Sequence, residues 1–329
     1  MQSHYFKINK YRKMIERARR IFLGKILVVG SINMDVIISL NTVPKAGESI
    51  LCKEVSYACG GKGANQAGAI ARLGFETVIF GAVGNDQYGE ILLDNLKDNK
   101  IDMSRVEKIG DQTGVAYILL EESGENRIVV SLGANEKIKP KDIDLYVKPL
   151  LDEVDMVMLQ LEIPLDCVEH IINLAKVQGV RTFVDAGPVR NCRIESLKNA
   201  WCVSPNETEL GALFNREIKT ETEMIKAAEQ LINIGVECVL IKLGAKGCFY
   251  ISREERIRKE SYKVKVIDTT AAGDSFSAGF VGAVTDNKTI EEALVYASKC
   301  GAIAVTKKGA SDSLPTKEAV ESFEKLYML

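Results

Sequence analysis

The feature that most constrains the fold is a regular alternation of short apolar runs with longer helical patterns, which begins near Thr77. The apolar runs predict strands, at Thr77–Phe80, Met156–Leu161, Arg181–Asp185, Trp201–Val203 and Cys238–Leu243. The patterns between them predict helices, at Tyr88–Asn99, Leu165–Gln178 and Glu221–Ile234. Because strands that alternate with helices pair in parallel, we expect an α/β domain whose sheet is covered by helices on both faces.

The segments on either side extend this pattern. Lys25–Gly30 predicts a buried first strand, and the Ala- and Gly-rich stretch Ala64–Leu73 predicts a tightly packed helix. Two more helices, Thr289–Thr306 and Thr316–Tyr327, are predicted to close the chain. No internal repeat or linker interrupts residues 25–329, so we expect one domain there.

Two stretches predict strands that do not alternate with helices. Their apolar runs are bounded by Pro and Gly, at Val36–Leu40, Ile50–Ala58, Thr113–Leu120 and Arg127–Leu132. The last two flank a Ser-Gly turn and predict a hairpin. We therefore expect a small separate sheet built from two inserts, at about 34–60 and 112–132.

Composition excludes several classes of protein. Hydrophobic residues make up 46% of the 329 residues, which is enough to bury a full core. A net charge of −2 argues against a general nucleic-acid binder, and we expect no nucleic-acid partner. We find no apolar run of membrane-spanning length and no signal-peptide pattern. We therefore expect a cytoplasmic protein without a membrane partner.

The cysteines and histidines carry little signal for metal or redox chemistry. None of the eight Cys forms a CxxC pair, and most lie in apolar runs, so we expect buried, reduced thiols. Only two His are present, which leaves little room for a His-based triad or metal site.

Residues 1–24 form a basic extension before the first strand. Ile8, Tyr11, Ile15, Ala18 and Phe22 fall at helical spacing between Lys and Arg residues. We expect an extra amphipathic helix on the domain or a partly ordered tail, in preference to an arm that binds membranes or nucleic acids.

The stretch from Asp268 to Phe276 carries the strongest chemical signal. A strand-like run, Tyr262–Ile267, leads into it, and a small-residue helical pattern, Ser275–Val284, leads out. A helix that starts near Ala272 would direct free backbone N–H groups and its positive dipole end at one point, which is an anion site. Asp274 lies in this mouth, where a carboxylate can accept a proton from a hydroxyl that attacks a phosphate. In isolation, Asp274 would more often be a helix cap.

Other polar groups follow predicted strands. They are Asn33 and Asp35, Lys62 and Asn65 of the turn Gly60-Gly-Lys-Gly-Ala-Asn65, Glu162, Asn206 and Glu209, and the glycine turn Leu243–Gly247. Each alone is more often a cap or a turn, and the chain contains no GxxxxGK[ST] phosphate loop. Because the carboxyl ends of parallel strands share one edge of a sheet, we expect these groups to converge on a ligand site.

These segments, in this order and spacing, resemble the ribokinase family of sugar kinases, within the phosphofructokinase-B superfamily. The resemblance runs from about Lys25 to the end and includes Gly30–Asp35, Gly60–Asn65, Pro205–Glu209, Asp268–Asp274 and Ala302–Ala310. It implies a three-layer α/β/α domain over residues 25–329 with a small β-sheet lid. It also implies transfer of the γ-phosphoryl group of ATP to the O5 hydroxyl of D-ribose.

The resemblance further implies roles for individual residues. Asp274 is the implied general base, and an anion hole is implied at Ala272, Gly273 and Asp274, beside Ala271. The implied sugar contacts are Asn33, Met34, Asp35, Gly61, Lys62, Gly63, Ala64, Asn65 and Glu162, together with Asp274. ATP and its Mg²⁺ are implied near Asn206, Glu209, Lys242, Leu243, Gly244, Ala245, Lys246, Gly247, Gly273 and Ser298. A K⁺ site is implied at Asp268, Thr270, Ala304, Lys307, Gly309 and Ser313.

Three positions depart from the common pattern of the family. Lys242 stands where Thr is usual, and it could reach a phosphate or extend into solvent. Val184-Asp-Ala-Gly-Pro188 replaces the commoner Asn-Pro-Ala-Pro, and Ser298 lies at a variable position on the adenine side.

Two alternative functions stay open at this point. One is a related carbohydrate kinase that acts on deoxyribose, a nucleoside or a ketose; the other is a catalytically idle sugar-binding regulator on the same fold. We also expect a homodimer through the lid, because Val36–Leu40 and Val115–Leu120 are apolar on both faces and a small sheet must cover its second face.

Overall fold

In the described part of the chain, the main sheet has nine strands; with the strands numbered as given below, their order across the sheet is β13-β12-β11-β10-β9-β8-β1-β4-β5. The computed structural model describes residues 24–123, 125–190 and 192–327, so the predicted basic extension lies outside the described residues except for Gly24. The strands of this sheet are β1 (Lys25–Val29), β4 (Glu76–Val83), β5 (Asp102–Lys108), β8 (Met156–Gln160), β9 (Arg181–Asp185), β10 (Cys202–Ser204), β11 (Cys238–Lys242), β12 (Cys248–Ser252) and β13 (Arg256–Lys259).

Seven neighbouring strands of this sheet pair in parallel, as the alternating pattern predicted. They are β11, β10, β9, β8, β1, β4 and β5. The last two, β12 and β13, are antiparallel and form one edge, so the sheet is mixed. β5 was not predicted from the sequence, because its residues Asp102–Lys108 are mostly polar. Polar residues are tolerated there because β5 is the last strand at the opposite edge of the sheet.

Helices cover both faces of the main sheet. They are α1 (Lys62–Arg72), α2 (Gln87–Asp98), α3 (Leu165–Gln178), α4 (Glu207–Leu213), α5 (Glu221–Asn233), α6 (Ala272–Thr285), α7 (Ile290–Ala304), α8 (Lys317–Glu321) and α9 (Phe323–Tyr327). Short helical turns occur at Gly133–Lys137, Pro140–Asp142, Ile143–Val147, Lys148–Asp152, Ile194–Leu197, Gly244–Lys246 and Ser311–Ser313.

The two faces of the sheet bury separate cores because successive strand residues point to opposite sides. In β1, Leu27 and Val29 belong to a core shared with α3, α4 and α5. Ile26 and Val28 belong to a second core shared with α1, α2, α6 and α7. This is a three-layer α/β/α arrangement.

A second sheet of four strands lies apart from the main one, in the order β3-β2-β6-β7. Its strands are β2 (Asn33–Leu40), β3 (Glu54–Gly60), β6 (Gly114–Glu121) and β7 (Asn126–Ser131). They come from two separate sections of the chain, and β2 and β6 pair in parallel. This small sheet exposes apolar side chains, and Tyr57, Tyr117 and Val129 lie in register on one of its faces. Ile128 is also exposed, but it points to the opposite face because successive strand residues alternate.

Three local predictions were wrong. Residues 262–267 form no strand; Val266 and Ile267 are about 60% exposed, and the N–H groups of Ile267 and Asp268 instead donate to the carbonyl of Val305. The predicted helix Thr316–Tyr327 is divided at Ser322 into α8 and α9. The predicted strand at 50–58 begins only at Glu54, after an exposed irregular stretch.

The cysteines agree with the predicted buried thiols, with two differences. All eight are free, and six are buried, whereas Cys52 is exposed and Cys59 is half-buried. Among the described helices, none combines the length and the apolar character that crossing a membrane requires.

The start of α1 is packed directly against the end of β1, which makes Gly63 a sensitive position. A Cβ atom on Gly63 would lie 2.6 Å from the carbonyl carbon of Gly30 and 2.7 Å from the backbone nitrogen of Ser31. Gly273 occupies the matching second position of α6, and a Cβ atom there would meet nothing within 4 Å.

We therefore expect Gly63→Ala to lower the free energy of unfolding by about 1–3 kcal/mol, as overpacking does. Gly273→Ala, the matched control, is expected to leave it unchanged or raise it by up to about 1 kcal/mol, because Ala favours the helix. Urea unfolding followed by circular dichroism measures both. Equal stability of the two variants would contradict the close packing described here.

Candidate active site

The polar groups that follow the parallel strands lie at one edge of the main sheet, as strand direction requires. Glu162 follows β8, Asp185 ends β9, Asn206 follows β10 and Lys242 ends β11. The N-termini of α1 and α6 meet the same edge, so that Lys62 and Asp274 are in contact.

The turn before α6 has an unusual backbone. Ala271 has φ 56°, in the left-handed region, and caps the N-terminus of α6 without a side-chain hydrogen bond. The N–H of Ala272 donates to the carbonyl of Thr269. Those of Gly273 and Asp274 have no hydrogen-bond acceptor among the described residues. Two of the three N–H groups predicted for an anion hole are thus open to a ligand at the positive end of the helix dipole.

The carboxylate of Asp274 is 7% exposed and is held by three side chains from α1. Its Oδ2 accepts from Asn65 Nδ2 at 3.2 Å, and its Oδ1 accepts from Gln66 Nε2 at 3.0 Å. Lys62 Nζ lies 3.8 Å from Oδ1. Lys62 and Asn65 were predicted at the site from the sequence, but Gln66 was not, because it lies within the predicted helix and carries no separate signal.

The glycine turn places these side chains. Gly61 has φ 89°, which favours glycine, and a Cβ atom there would lie 2.7 Å from the backbone nitrogen of Asn33. The N–H of Ala64 donates to the carbonyl of Ser31, which fixes the first turn of α1 on the loop after β1. Lys62 and Asn65 therefore extend from a rigid backbone.

Lys62 is surrounded by carboxylates. Its Nζ lies 3.5 Å from Asp185 Oδ1, and Asp274, Glu209 and Glu162 are close enough to stabilise its charge. Burial lowers the pKa of Lys62, but these carboxylates outweigh burial and the pKa is raised. Lys62 is consequently a permanent cation at this site.

Two further carboxylates border the space between the small sheet and α1. Burial, and then the charges of Glu162 and Asp274, raise the pKa of Asp35 to about 7. No described residue donates a hydrogen bond to the carboxylate of Asp35. Glu162 accepts from Ser31 Oγ and, at 3.3 Å, from the N–H of Lys62, yet burial still raises its pKa.

Asn33 lies beside these acids, but Met34 does not. Asn33 Oδ1 accepts from Asn135 Nδ2 at 2.8 Å, and Asn135 also accepts from the N–H of Ile32. Asn135 was missed by the sequence analysis and holds the start of β2 in place. The side chain of Met34 is 1% exposed and packs in the core, so the structure does not bring it to the site.

The two departures at Asp185 and Lys242 contact each other. Lys242 Nζ donates to Asp185 Oδ2 at 2.9 Å, and the Lys242 side chain is 12% exposed. Lys242 therefore does not extend into solvent, because the buried carboxylate holds it. Asp185 Oδ2 also accepts from Ser277 Oγ at 3.1 Å and from Gln66 Nε2 at 3.2 Å.

Of the residues predicted to flank a nucleotide, some lie in exposed turns and others, such as Ser298 within α7, are buried. Asn206 and Glu209 form a capping box at the start of α4, with both bonds at 2.7 Å. The capping box uses Oε2 of Glu209. The other carboxylate oxygen, Oε1, lies towards Gly187. Gly244, Ala245 and Lys246 form an exposed helical turn between Leu243 and Gly247, and Ser298 is buried, with its hydroxyl bonded to the carbonyl of Leu294.

The residues predicted for a monovalent cation are only partly brought together. Asp268 Oδ1 accepts from the N–H and hydroxyl of Thr270, and its Oδ2 accepts from the N–H of Gly309 at 2.9 Å. Burial raises the pKa of Asp268, but these bonds outweigh it and the pKa is lowered. Ala304 and Lys307 form the turn that follows α7. Ser313 Oγ donates to the carbonyl of Ala310, and no hydrogen bond joins Ser313 to the other predicted residues within the described chain.

Chemically, this edge combines a buried carboxylate, a permanent cation and unpaired N–H groups at a helix N-terminus. A hydroxyl placed at Asp274 would meet a base, and a phosphoryl group placed at the mouth of α6 would meet hydrogen-bond donors. No group of three or more His, Cys, Asp or Glu suited to binding a metal occurs in the described part of the chain.

Comparison with known proteins identifies the family of the chain. Residues 23–317 match the model of the pfkB family carbohydrate kinases. A ribokinase of Haemophilus influenzae is 37% identical over 298 residues, which cover 90% of this chain and 97% of that protein. A Thermotoga maritima ribokinase structure superposes with a TM-score of 0.83 and 34% identity, covering 92% of this chain and 100% of that one.

An Arabidopsis thaliana ribokinase, solved as a complex with ribose and ATP, superposes with a TM-score of 0.84 and 32% identity. The match covers 92% of this chain and 99% of that structure. The chain belongs to the pfkB family of carbohydrate kinases.

Proposed function

We propose that this sugar kinase transfers the γ-phosphoryl group of ATP to the O5 hydroxyl of D-ribose. The single observation that carries the proposal is the position of Asp274. This carboxylate lies in the mouth of α6, between the side chains of Asn65, Gln66 and Lys62 on one side and open N–H groups on the other. Ribokinases from several organisms are among its relatives, which favours ribose within the family.

In this mechanism, the sugar lies between the small sheet and α1. The carboxylates of Asp35 and Glu162 and the amides of Asn33 and Asn65 accept from or donate to its hydroxyls. Vicinal hydroxyls suit carboxylate acceptors of this kind because each oxygen can receive one proton donor. The turn at Gly61 and Gly63 brings the backbone of α1 against the loop after β1, which keeps the acceptors at fixed positions.

Asp274 accepts the proton of the attacking hydroxyl, and the N–H groups of Gly273 and Asp274 stabilise the charge on the phosphoryl group in flight. Phosphoryl transfer needs mainly positioning and electrostatic stabilisation, and both are built into this helix terminus. The cation of Lys62 balances the negative charge close to Asp274. The small sheet acts as a lid that excludes water, which would otherwise compete as the nucleophile.

The nucleotide is expected along the turns at Asn206–Glu209 and Lys242–Gly247, with its adenine towards Ser298. Glu209 is the carboxylate best placed for a Mg²⁺ ion, because its Oε1 is not used by the capping box. Mg²⁺ retains water and uses few protein ligands when it accompanies phosphates, so a single carboxylate fits. When bound, Mg²⁺ would neutralise charge on the phosphates.

We also propose a homodimer through the lid and a cytoplasmic location. Support for the dimer comes from the exposed apolar side chains of the small sheet; Tyr57 is 60% exposed and Val129 is 62% exposed. A surface of this kind is usually covered in a soluble assembly.

A coupled ADP-release assay over pentoses, deoxyribose, hexoses and nucleosides tests the substrate. Ribose should give the highest kcat/KM. Turnover of another sugar with ribose inactive would instead support the related carbohydrate kinase, and binding of sugar without any turnover would support a regulator.

Our first prediction here concerns the base. Asp274→Asn is expected to keep ribose and ATP binding but to lower kcat by at least about 10²–10⁴-fold, since a general base supplies that much. Steady-state kinetics and calorimetric binding measure the two effects separately. A variant that turns over like the wild type would remove Asp274 from the mechanism.

A second prediction concerns pH. Because the pKa of Asp35 is raised to about 7 in the free protein, and because sugar hydroxyls donate to the ionised form, ribose affinity should rise between pH 6 and pH 8. The rise is limited to about tenfold per pH unit below the pKa and levels off above it. Asp35→Asn should bind ribose more weakly and without this pH dependence, as calorimetry will show.

The stability of the free protein provides a control for this prediction. A carboxyl group whose pKa is raised by folding binds its proton more tightly in the folded state, so stability is lost as pH rises from about 4 through 7. Asp35→Asn should therefore stabilise the free protein more at pH 8 than at pH 5.

A ribose affinity that does not change with pH in the wild-type protein would rule out Asp35 as the acceptor.

The third prediction concerns K⁺, which we propose beside the turn that leads into α6. The oxygen atoms that would bind this large monovalent ion are the carboxylate of Asp268 and the carbonyl groups of Thr270, Ala304, Lys307 and Gly309. Ser313, the remaining predicted ligand, lies further along the segment that contains Lys307 and Gly309. Potassium is expected to raise kcat and the melting temperature above their values in Na⁺, and Asp268→Ala to abolish both responses. Activity indifferent to K⁺ after dialysis into a choline buffer would exclude the site.

A further inference from the structure

A fully buried carboxylate, Asp185, connects four elements around Asp274. It lies at the end of β9 and has no exposed surface. Its Oδ2 accepts from Lys242 of β11, Gln66 of α1 and Ser277 of α6. Its Oδ1 has no hydrogen bond, but Lys62 Nζ lies 3.5 Å away.

The amide of Gln66 joins this carboxylate to Asp274. Its Nε2 donates to Asp185 at 3.2 Å and to Asp274 at 3.0 Å, so the two N–H bonds of one amide bridge two carboxylates. Its Oε1 accepts from Gln160 Nε2 at 2.5 Å, which fixes the orientation of the amide. Gln160 is itself wedged against Gly30, where a Cβ atom would lie 1.7 Å from Gln160 Oε1.

Lys242 is the partner that permits a charge at Asp185. Burial raises the pKa of Asp185, but Lys242 and then Lys62 outweigh burial, and the pKa is lowered. The carboxylate therefore stays ionised although it is fully buried. Without Lys242, Asp185 would leave part of its negative charge uncompensated close to Asp274.

We propose that Asp185 and Lys242 form a positioning pair for Asp274, acting through Gln66 and through Ser277 on α6. This inference rests on the proposed role of Asp274 as the base. Asp185 and Lys242 need not touch the sugar. The Asp185–Lys242 pair sets the orientation of Asp274. The balance between the charges of Asp185 and Lys242 sets the electrostatic potential at Asp274.

Other charged groups also face Asp274, and they are the same in the wild-type protein and in every Asp185 or Lys242 variant. Lys62 lies on α1, Asp35 on β2 and Glu162 after β8. Saturating ribose holds Asp35 ionised, so that kcat, rather than kcat/KM for ribose, is the quantity compared between variants.

The test is the pH profile of kcat at saturating ribose and ATP. Because Asp185 Oδ2 and Asp274 Oδ1 contact one nitrogen, they lie within about 6 Å, where a unit charge shifts a titration by about one to two pH units. Lys242→Met leaves a negative charge and should move the acidic limb to higher pH. Asp185→Asn leaves a positive charge and should move it to lower pH.

The double variant Asp185→Asn/Lys242→Met restores the charge balance and should return the acidic limb close to its wild-type position. It should also be more stable than either single variant, because removing both members of a buried pair costs less than removing one. If Asp185→Asn does not fold, the comparison of Lys242→Met with the double variant still decides the question. The acidic limb of Lys242→Met should lie at higher pH than that of the double variant.

Lys25→Met is the matched control. Lys25 is similarly buried. It lies at the N-terminal end of β1, which is the opposite end of the parallel strands, and pairs there with Glu76 at 3.0 Å. Its loss should lower stability without moving the acidic limb.

Coincident acidic limbs in all folded variants would overturn the proposal and leave the pair a purely structural role. Absence of sugar-kinase activity in the wild type would instead overturn the proposed function.

Discussion

The structure depends on the way two lysines are shared among buried carboxylates at one edge of the sheet. Lys62 is close to Asp185, Asp274, Glu209 and Glu162, and Lys242 pairs with Asp185. The site therefore has an excess of negative charge before any substrate is present. In the proposed function, affinity for a phosphoryl group must come from elsewhere, and we assign it to the backbone N–H groups at the start of α6. A neutral sugar suits the acidic side, whereas an anionic group suits only the mouth of the helix.

Close packing of the backbone makes this electrostatic arrangement possible. Lys62 approaches the carboxylates because Gly61 and Gly63 allow α1 to start in contact with the loop after β1. A larger residue at either position would move the lysine and the two amides that hold Asp274. Positioning and charge at this site therefore share one cause, which is the contact between α1 and β1.

Much of this arrangement could be predicted from the sequence, because strand ends and helix starts are encoded locally. The parallel sheet followed from the alternating pattern, and the convergence of Glu162 and Asn206 followed from strand direction. Asp274 reaches the same edge from the N-terminus of α6, although the strand predicted before it does not form. The partners of these groups could not be predicted, because they depend on side-chain contacts between distant elements. Gln66 lies 208 residues from Asp274, and Asp185 lies 57 residues from Lys242. The strand-like run at 262–267 was predicted as a strand, but it forms none, and the N–H groups of Ile267 and Asp268 donate to the carbonyl of Val305 at the end of α7.

The turn at Ala271 shows how the anion site is held in place. A non-glycine residue with φ 56° costs about 1–2 kcal/mol, and such a conformation persists only where its surroundings impose it. Here the surroundings are the hydrogen bonds that Thr270 and Gly309 donate to the carboxylate of Asp268, and the bond from the N–H of Ser275 to the carbonyl of Ala271. These bonds fix both ends of the turn, so the N–H groups of Gly273 and Asp274 cannot rotate away independently. Donors that are already oriented need no reorganisation when charge develops, and this is the property that electrostatic stabilisation of a phosphoryl group requires.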